Sequence, residues 1–318
     1  MKALITGATG FVGQHLASYL VDEGLQVYGT SRNNAGEINN VPEMKVMFLD
    51  FNDVTAIVDL LNKVRPDFVY HLAGQSSVKD SWTDKVGTFH GNIRLTMNLM
   101  EAILQSEIRD SVRVLTVGSS EEYGGFDSKG VPIAEETILK PTSPYGISKA
   151  TVSMLARHYY SAYQIKVTHT RPFNHIGPGQ RLGFVVSDFS NQIVQIEKGN
   201  QNGVISVGNL SAKRDFTDVR DIVRAYSLLL NQQNDLAWGE SINVCSGKAI
   251  SIQCILDTLL SLTEASIEVV VDQNKLRPLD IPVFTGDNTK LKSLTGWTQT
   301  IKLNETLRDV LISIRNET

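Results

Sequence analysis

The chain has 318 residues, 42% of them hydrophobic and 20% charged, with a formal net charge of −4. That balance describes an ordinary soluble globule, large enough for one big core and a smaller second unit, and without the basic block of a nucleic-acid binder. No run of about 18 apolar residues marks a membrane span, and two cysteines, Cys245 and Cys254, are too few for a disulfide framework and lack metal-ligand spacing.

Met1 leads straight into Lys2-Ala-Leu-Ile-Thr6, a short buried strand, which leaves no room for a signal peptide and implies a cytoplasmic location. Gly7-Ala-Thr9-Gly10-Phe11-Val12-Gly13 follows, then a helical pattern of Leu16, Leu20 and Val21 ended by Gly24. Glycines between a strand and a helix permit a tight turn and let backbone N–H groups approach a pyrophosphate. A second strand over 25–30 ends at Ser31-Arg32, where an arginine in place of an acid suits a 2′-phosphate and so favours NADPH, with NADH possible. A third strand over 45–49 delivers Asp50 and Phe51 to the place where an adenine would lie. After a helix over 53–64, the strand 67–72 ends at Leu72, also assigned to the cofactor, and opens onto Ala73, Gly74 and Ser76, small enough to let a cofactor approach; His71 reads as a satisfied core histidine.

A long helix is expected over 87–107, carrying Asn92 and the apolar stripe Leu95, Leu99, Met100 and Ile103. Strand 112–117 ends in Gly118-Ser119-Ser120-Glu121-Glu122-Tyr123-Gly124, which places hydroxyls at the carboxyl end of a central strand, where doubly wound sheets bind ligands. A polar loop leads to Ser143-Pro-Tyr145-Gly-Ile-Ser-Lys149. Ser143 suits an N-cap and Pro144 a first turn. Positions i and i+4 share a helix face, so the Tyr145 phenol and the Lys149 ammonium can address one substrate atom. A lysine cation nearby is expected to lower the tyrosine pKa toward the working range. Strand 165–170 then ends in Arg171-Pro-Phe-Asn174, and beyond about 184 the alternation becomes irregular, with helices expected near 184–196, 218–230, 251–262 and 303–314.

In combination, the glycine triplet, the hydroxyls at 119–120, Tyr145-x-x-x-Lys149 and Arg171-Pro-Phe-Asn174 resemble the extended short-chain dehydrogenase/reductases of nucleotide sugars, over nearly the whole chain. The resemblance implies an α/β fold: a Rossmann-type doubly wound parallel sheet with a smaller C-terminal α/β substrate domain. The expected division is 1–172 for NADP, with about 217–245 returning to it, and 173–318 mainly for the nucleotide-sugar. It implies a catalytic triad of Ser119, Tyr145 and Lys149, with Lys149 also gripping the cofactor ribose. A homodimer built on the helices near 87–107 and 145–163 is implied too.

The stretches Phe173–Arg181, Gly183–Phe189, Val207–Leu210, Arg214–Asp221 and Asn243–Gly247 are similar to those of the branch that reduces the C4 ketone of a GDP-4-keto-6-deoxymannose to GDP-rhamnose. That similarity implies substrate contacts at Ser76, Ser120, Glu121 and Asn174, guanine beside Val185–Val186, and Arg214 with Arg277 on the diphosphate and ribose. Asn174 could instead cap a turn, and Arg214 could pair Asp215 or Asp218. The competing branch dehydrates GDP-mannose and needs an additional acid/base; Glu121, retained after Ser119-Ser120, keeps it open. A non-catalytic NADP-binding protein is disfavoured by the intact glycines and Tyr/Lys pair.

Overall fold

Short β-branched runs alternate with longer amphipathic ones along the N-terminal part, and most become the element their period demands. The computed structural model describes residues 1–32, 41–125, 130–231, 235–275 and 281–317. The first elements are β1 (Lys2–Thr6), α1 (Phe11–Asp22), β2 (Gln26–Ser31), β3 (Lys45–Phe48), α2 (Val54–Val64) and β4 (Phe68–His71). Next come α3 (Val78–Thr83), α4 (Lys85–Phe89), α5 (Leu95–Gln105), β5 (Arg113–Val117), α6 (Pro144–Tyr163) and β6 (Lys166–Pro172). The remainder comprises β7 (Asn174–Ile176), α7 (Val185–Glu197), β8 (Val204–Val207), β9 (Lys213–Asp218), α8 (Val219–Leu230), β10 (Ser241–Val244), β11 (Ala249–Ser251), α9 (Ile252–Leu260), β12 (Glu268–Val271), β13 (Val283–Phe284), α10 (Thr289–Thr295) and α11 (Leu303–Glu317).

Seven strands form one sheet in the order β10-β6-β5-β4-β1-β2-β3, and every neighbouring pair is parallel. Parallel strands need helical crossovers, so both faces are covered. One face carries α1 and α8, whose Leu16, Leu20, Ile222 and Leu229 share a core with Ile5 and Tyr70 of the sheet. The other carries α2, α5 and α6, packed through Leu61, Leu99, Ile103 and Tyr159 on Val69 and Val114. A third core joins α7, α9 and α11 through Ile193, Leu256 and Leu311 to Ile205 and Phe216.

The register aligns Ser241, His169, Thr116, His71, Thr6 and Thr30 in one row across the sheet, near its carboxyl edge. These buried polar side chains satisfy one another: Thr6 Oγ1 meets His71 Nδ1 at 2.8 Å, and Thr116 Oγ1 meets His169 Nδ1 at 2.9 Å. The candidate site stands on this belt.

The cap of α6 forms as the sequence dictates: Ser143 Oγ accepts from the Gly146 N–H at 3.0 Å with Pro144 in the first turn. The helix expected over 87–107 is continuous from α4 to α5 but passes through a π turn at His90–Arg94. Such turns are rare and concentrate at functional sites. Strands β7, β9, β11 and β13 escape a periodicity reading. They are short, and three of them are defined only by pairing with β9, which runs parallel to β7 and β13 and antiparallel to β11.

Candidate active site

The turn after β1 is a cradle that only glycine can build. Gly7 lies at φ +69°, and a Cβ there would sit 2.9 Å from the Ala73 nitrogen. A Cβ at Gly13 would be driven into the carbonyl oxygens of Gly7 and Ala8. Gly10 caps α1 with no side chain, so the first N–H groups of the helix, at Phe11, Val12 and Gly13, face outward. The first intrahelical bond runs from the Gln14 N–H to the Gly10 oxygen at 3.0 Å. Amides pointing out of a helix N-terminus are what a pyrophosphate requires. Thr9 and Ser31 hydroxyls lie 3.5 Å apart beside it, and Arg32 is exposed at the end of β2. Asp50 is exposed beyond β3, its Oδ1 accepting from the Asn52 N–H at 2.9 Å and the Asn52 amide at 2.8 Å, bonds that hold its pKa down. Leu72, Ala73 and Gly74 follow β4 at the edge of the crevice, half-buried or exposed, and Ser76 is exposed. These residues fit a dinucleotide. The Phe51 side chain is packed into the core, because burying its apolar surface is favourable.

Ser119, Tyr145 and Lys149 do converge. They are 8%, 7% and 8% exposed, so their chemistry takes place largely out of water. The Tyr145 phenol shares a hydrogen bond with Ser119. Lys149 Nζ lies 5.7 Å from the Tyr145 ring centroid and donates to the Val117 carbonyl oxygen at 2.9 Å. The expected depression of the tyrosine pKa is overturned in the protein alone. Burial pushes the phenol well above its ordinary value, the Ser119 bond pulls it partly back, and the Glu121 and Glu122 charges push it further up. Desolvation disfavours a phenolate more than a lysine that is itself partly desolvated can favour it. Burial also lowers Lys149, to about 8, against an upward pull from Glu122. At neutral pH the pair is therefore a neutral phenol beside a largely protonated amine.

A chain of hydrogen bonds fixes the catalytic helix from below. Ser148 Oγ donates to the Tyr145 carbonyl oxygen at 2.7 Å and accepts from Asn92 Nδ2 at 2.9 Å. Asn92 Oδ1 takes the Gln75 N–H at 2.8 Å. The π turn places Asn92 between the loop after β4 and helix α6. Below it, the Thr96 hydroxyl donates to the Asn92 carbonyl oxygen at 2.7 Å and so accepts from His71 Nε2 at 3.0 Å. Thr6 accepts from the Ala73 N–H at 3.1 Å and donates to His71 Nδ1. His71 is thus a neutral Nε2–H tautomer, its pKa lowered to about 3 by burial and then by Lys149. The core reading of His71 holds.

The turn carrying Ser119 is closed by Glu122, a residue the sequence did not single out. Its Oε1 accepts from the Ser119 N–H and from His169 Nε2, both at 2.9 Å, and its Oε2 accepts from Arg171 Nε at 2.8 Å. His169 and Arg171 stand two apart on β6, on one face of the strand, and that period was the available signal.

The expected sugar-nucleotide residues are placed less uniformly. Ser120 is buried and Glu121 half-buried in the turn beside Tyr145. Asn174 opens β7 opposite Phe216 on β9, two residues from Arg214. Arg214 donates to the carbonyl oxygens of Lys213 at 2.8 Å and Ile281 at 2.7 Å. Asp215 binds Ser246 and Gly247, and Asp218 binds Arg220 and Thr306. Val185 is half-buried at the start of α7, whereas Val186 turns fully into the C-terminal core, so its side chain lines no crevice. Arg277 lies outside the described residues.

A sheet of this order, a glycine cradle at its first turn and a Ser/Tyr/Lys cluster at its carboxyl edge define the Rossmann-type extended short-chain dehydrogenase/reductases. The profile of one family, described as GDP-mannose 4,6 dehydratase, matches residues 4–310. The chain belongs to that family. It is 31% identical over 310 residues to the GDP-6-deoxy-D-mannose reductase of Pseudomonas aeruginosa, covering 98% of this chain and 96% of the relative. It is 30% identical over 339 residues to the GDP-mannose 4,6 dehydratase of Homo sapiens, covering 97% and 90%. Among solved structures, RMD from Pseudomonas aeruginosa complexed with NADPH superimposes with a TM-score of 0.83 at 30% identity, over 99% of both chains. The UDP-glucose 4-epimerase of Thermotoga maritima with UDP-glucose gives 0.88 at 26% identity, over 100% of this chain and 99% of that one.

Proposed function

We propose that this protein is an NADPH-dependent reductase of the C4 ketone of GDP-4-keto-6-deoxymannose, forming GDP-rhamnose in the cytoplasm. The observation that carries the reading is geometric: Ser119, Tyr145 and Lys149 converge out of water, with the Tyr145 hydroxyl hydrogen-bonded to Ser119 and Lys149 beside its ring, an arrangement that can give a proton to a carbonyl oxygen. The activity of the Pseudomonas aeruginosa relative, similar end to end, supports it. NADPH fits the glycine cradle and Arg32, as it does the structural neighbour crystallised with it, and NADH remains a lesser candidate.

When bound, the nicotinamide supplies the hydride to the sugar carbonyl carbon. The protein's part is to orient the ketone and stabilise the charge that develops on its oxygen. Ser119 donates a hydrogen bond to the carbonyl oxygen, and Tyr145 transfers its proton to the forming alkoxide. Lys149, nearby and largely protonated, stabilises the phenolate left behind. Ser76, Ser120, Asn174, Val185, Arg214 and Arg277 are assigned to the sugar nucleotide, with 1–172 and the returning 217–245 serving the cofactor and the rest of 173–318 the substrate. The return of β10 to the large sheet beside β6 supports that division.

A second reading, dehydration of GDP-mannose, is favoured by one residue. Glu121 lies close enough to Tyr145 for its charge to act on the phenol, and an elimination across C5–C6 needs such a base. Product analysis separates the two. The reductase consumes NADPH only with the keto-sugar and yields GDP-rhamnose. Conversion of GDP-mannose with no net use of NADPH would replace it with the dehydratase.

A further inference from the structure

Glu122 is a fully buried carboxylate that no step above uses. It accepts three N–H groups, from Ser119, His169 and Arg171, and so reaches from the end of β5 to two positions on β6. Gly118 leaves it room: a Cβ there would be forced into Glu122 Oε1 and His169 Nε2. Arg171 extends the cluster, donating to the Tyr123 hydroxyl at 3.1 Å and the Glu135 carbonyl oxygen at 3.2 Å. Tyr123 in turn donates to Asn243 Oδ1 on β10 at 2.7 Å. Three adjacent strands are thereby tied together directly under Ser119. Burying a charge on this scale costs stability unless every lone pair is used, and an apolar residue of similar size would fill the space without that cost.

We propose that Glu122 is a positioning residue, whose carboxylate fixes Ser119 through its amide and places a negative charge beside Lys149, which is bonded to Val117 at the start of the same turn. The inference rests on the reading of Ser119, Tyr145 and Lys149 as a carbonyl-reducing triad. The Ser119 hydroxyl then sits at one fixed point, accepting from the Glu121 N–H at 3.1 Å while facing Tyr145. Lys149 faces Glu122 from this turn, His169 from β6, His71 from β4 and the Tyr145 ring from its own helix. Tyr145 faces Ser119, Glu121, Glu122 and, from α8, Tyr226. Both histidines are depressed by burial, so Glu122 is the negative charge that acts on Lys149.

The sign follows. Glu122 raises the Lys149 pKa, so Glu122→Gln lowers it. The alkaline limb of the kcat profile, where Lys149 loses its proton, moves about one unit to lower pH, and kcat falls roughly 10- to 100-fold while the substrate KM changes little. Glu122→Asp keeps the charge but withdraws from Ser119, so kcat falls with the limb in place. A merely structural carboxylate would lower the melting temperature and the active fraction without moving the limb. The Lys149 titration, followed by NMR of isotope-labelled lysine in the native protein and in Glu122→Gln, needs no substrate. It falls in the variant if the inference is right, even if the sugar assignment is wrong; inactivity of the native enzyme on both GDP-sugars would sink only that assignment. An unchanged midpoint, or failure of both variants to fold, overturns the inference.

Discussion

At the residue scale, Tyr145 is buried enough that its proton is held tightly, and the substrate oxygen is its natural acceptor only once negative charge develops there. Replacing it with Phe removes one hydroxyl and keeps the packing. Tyr145→Phe should therefore lose roughly 10²- to 10⁴-fold in kcat, the range expected for removal of a general acid, with NADPH affinity measured by fluorescence changing by less than about threefold. Near-native turnover would remove Tyr145 from the chemistry. The Tyr/Lys spacing was readable because i and i+4 lie on one face of any helix. The direction of the tyrosine shift was not, because it depends on how deeply the phenol is buried. Nor was Glu122 distinguishable from Glu121: side by side in the sequence, one is fully buried in an ion cluster and the other half-exposed toward the crevice.

At the scale of elements, the turn between β1 and α1 has no slack. Gly13 lies against the carbonyl oxygens of Gly7 and Ala8, backbone atoms that cannot rotate away as a side chain could. Gly13→Ala should cost about 1–3 kcal/mol by overpacking and should weaken NADPH binding as the outward-facing amides shift. Thermal melts with and without NADPH check both parts, and a variant stabilised by NADPH as strongly as the native protein would refute the second. This turn and the α6 cap were legible because each rests on contacts within a few residues, and the strands of the large sheet because their apolar runs are local signals. The small sheet was not. Residues 214–221 were recognised as a motif, yet that 213–218 form a strand follows from partners at 174–176, 249–251 and 283–284.

On the scale of the whole molecule, the outward faces of the helices around the site are unusually apolar. Trp82, Val86 and Met97 are exposed along α3 to α5, and Ile147, Met154 and Tyr163 along α6. Ile147 and Met154 are seven apart and so share a stripe on α6. We infer that two copies pack these helices together, which removes the stripe from water. Met154→Glu should then convert a dimer to a monomer in light scattering at micromolar concentration; a native protein that is already monomeric there would refute the pairing. No helix among the described residues is long and apolar enough to cross a membrane.

The sequence by itself determined the succession of strands and helices along the N-terminal part of the chain, the glycine turn after the first strand, the sharing of one helix face by Tyr145 and Lys149, and the hydroxyl of Ser119 at the end of a strand. Those are consequences of hydrophobic period, glycine geometry and helix spacing, all of which act locally. Tertiary structure alone decided the rest. The row from Ser241 to Thr30 exists because parallel pairing aligns residues far apart in sequence, and the π turn because Asn92 is drawn between Gln75 and Ser148. Protonation was settled there too, since burial and the Glu122 charge set it, and neither is visible until β5 and β6 are side by side.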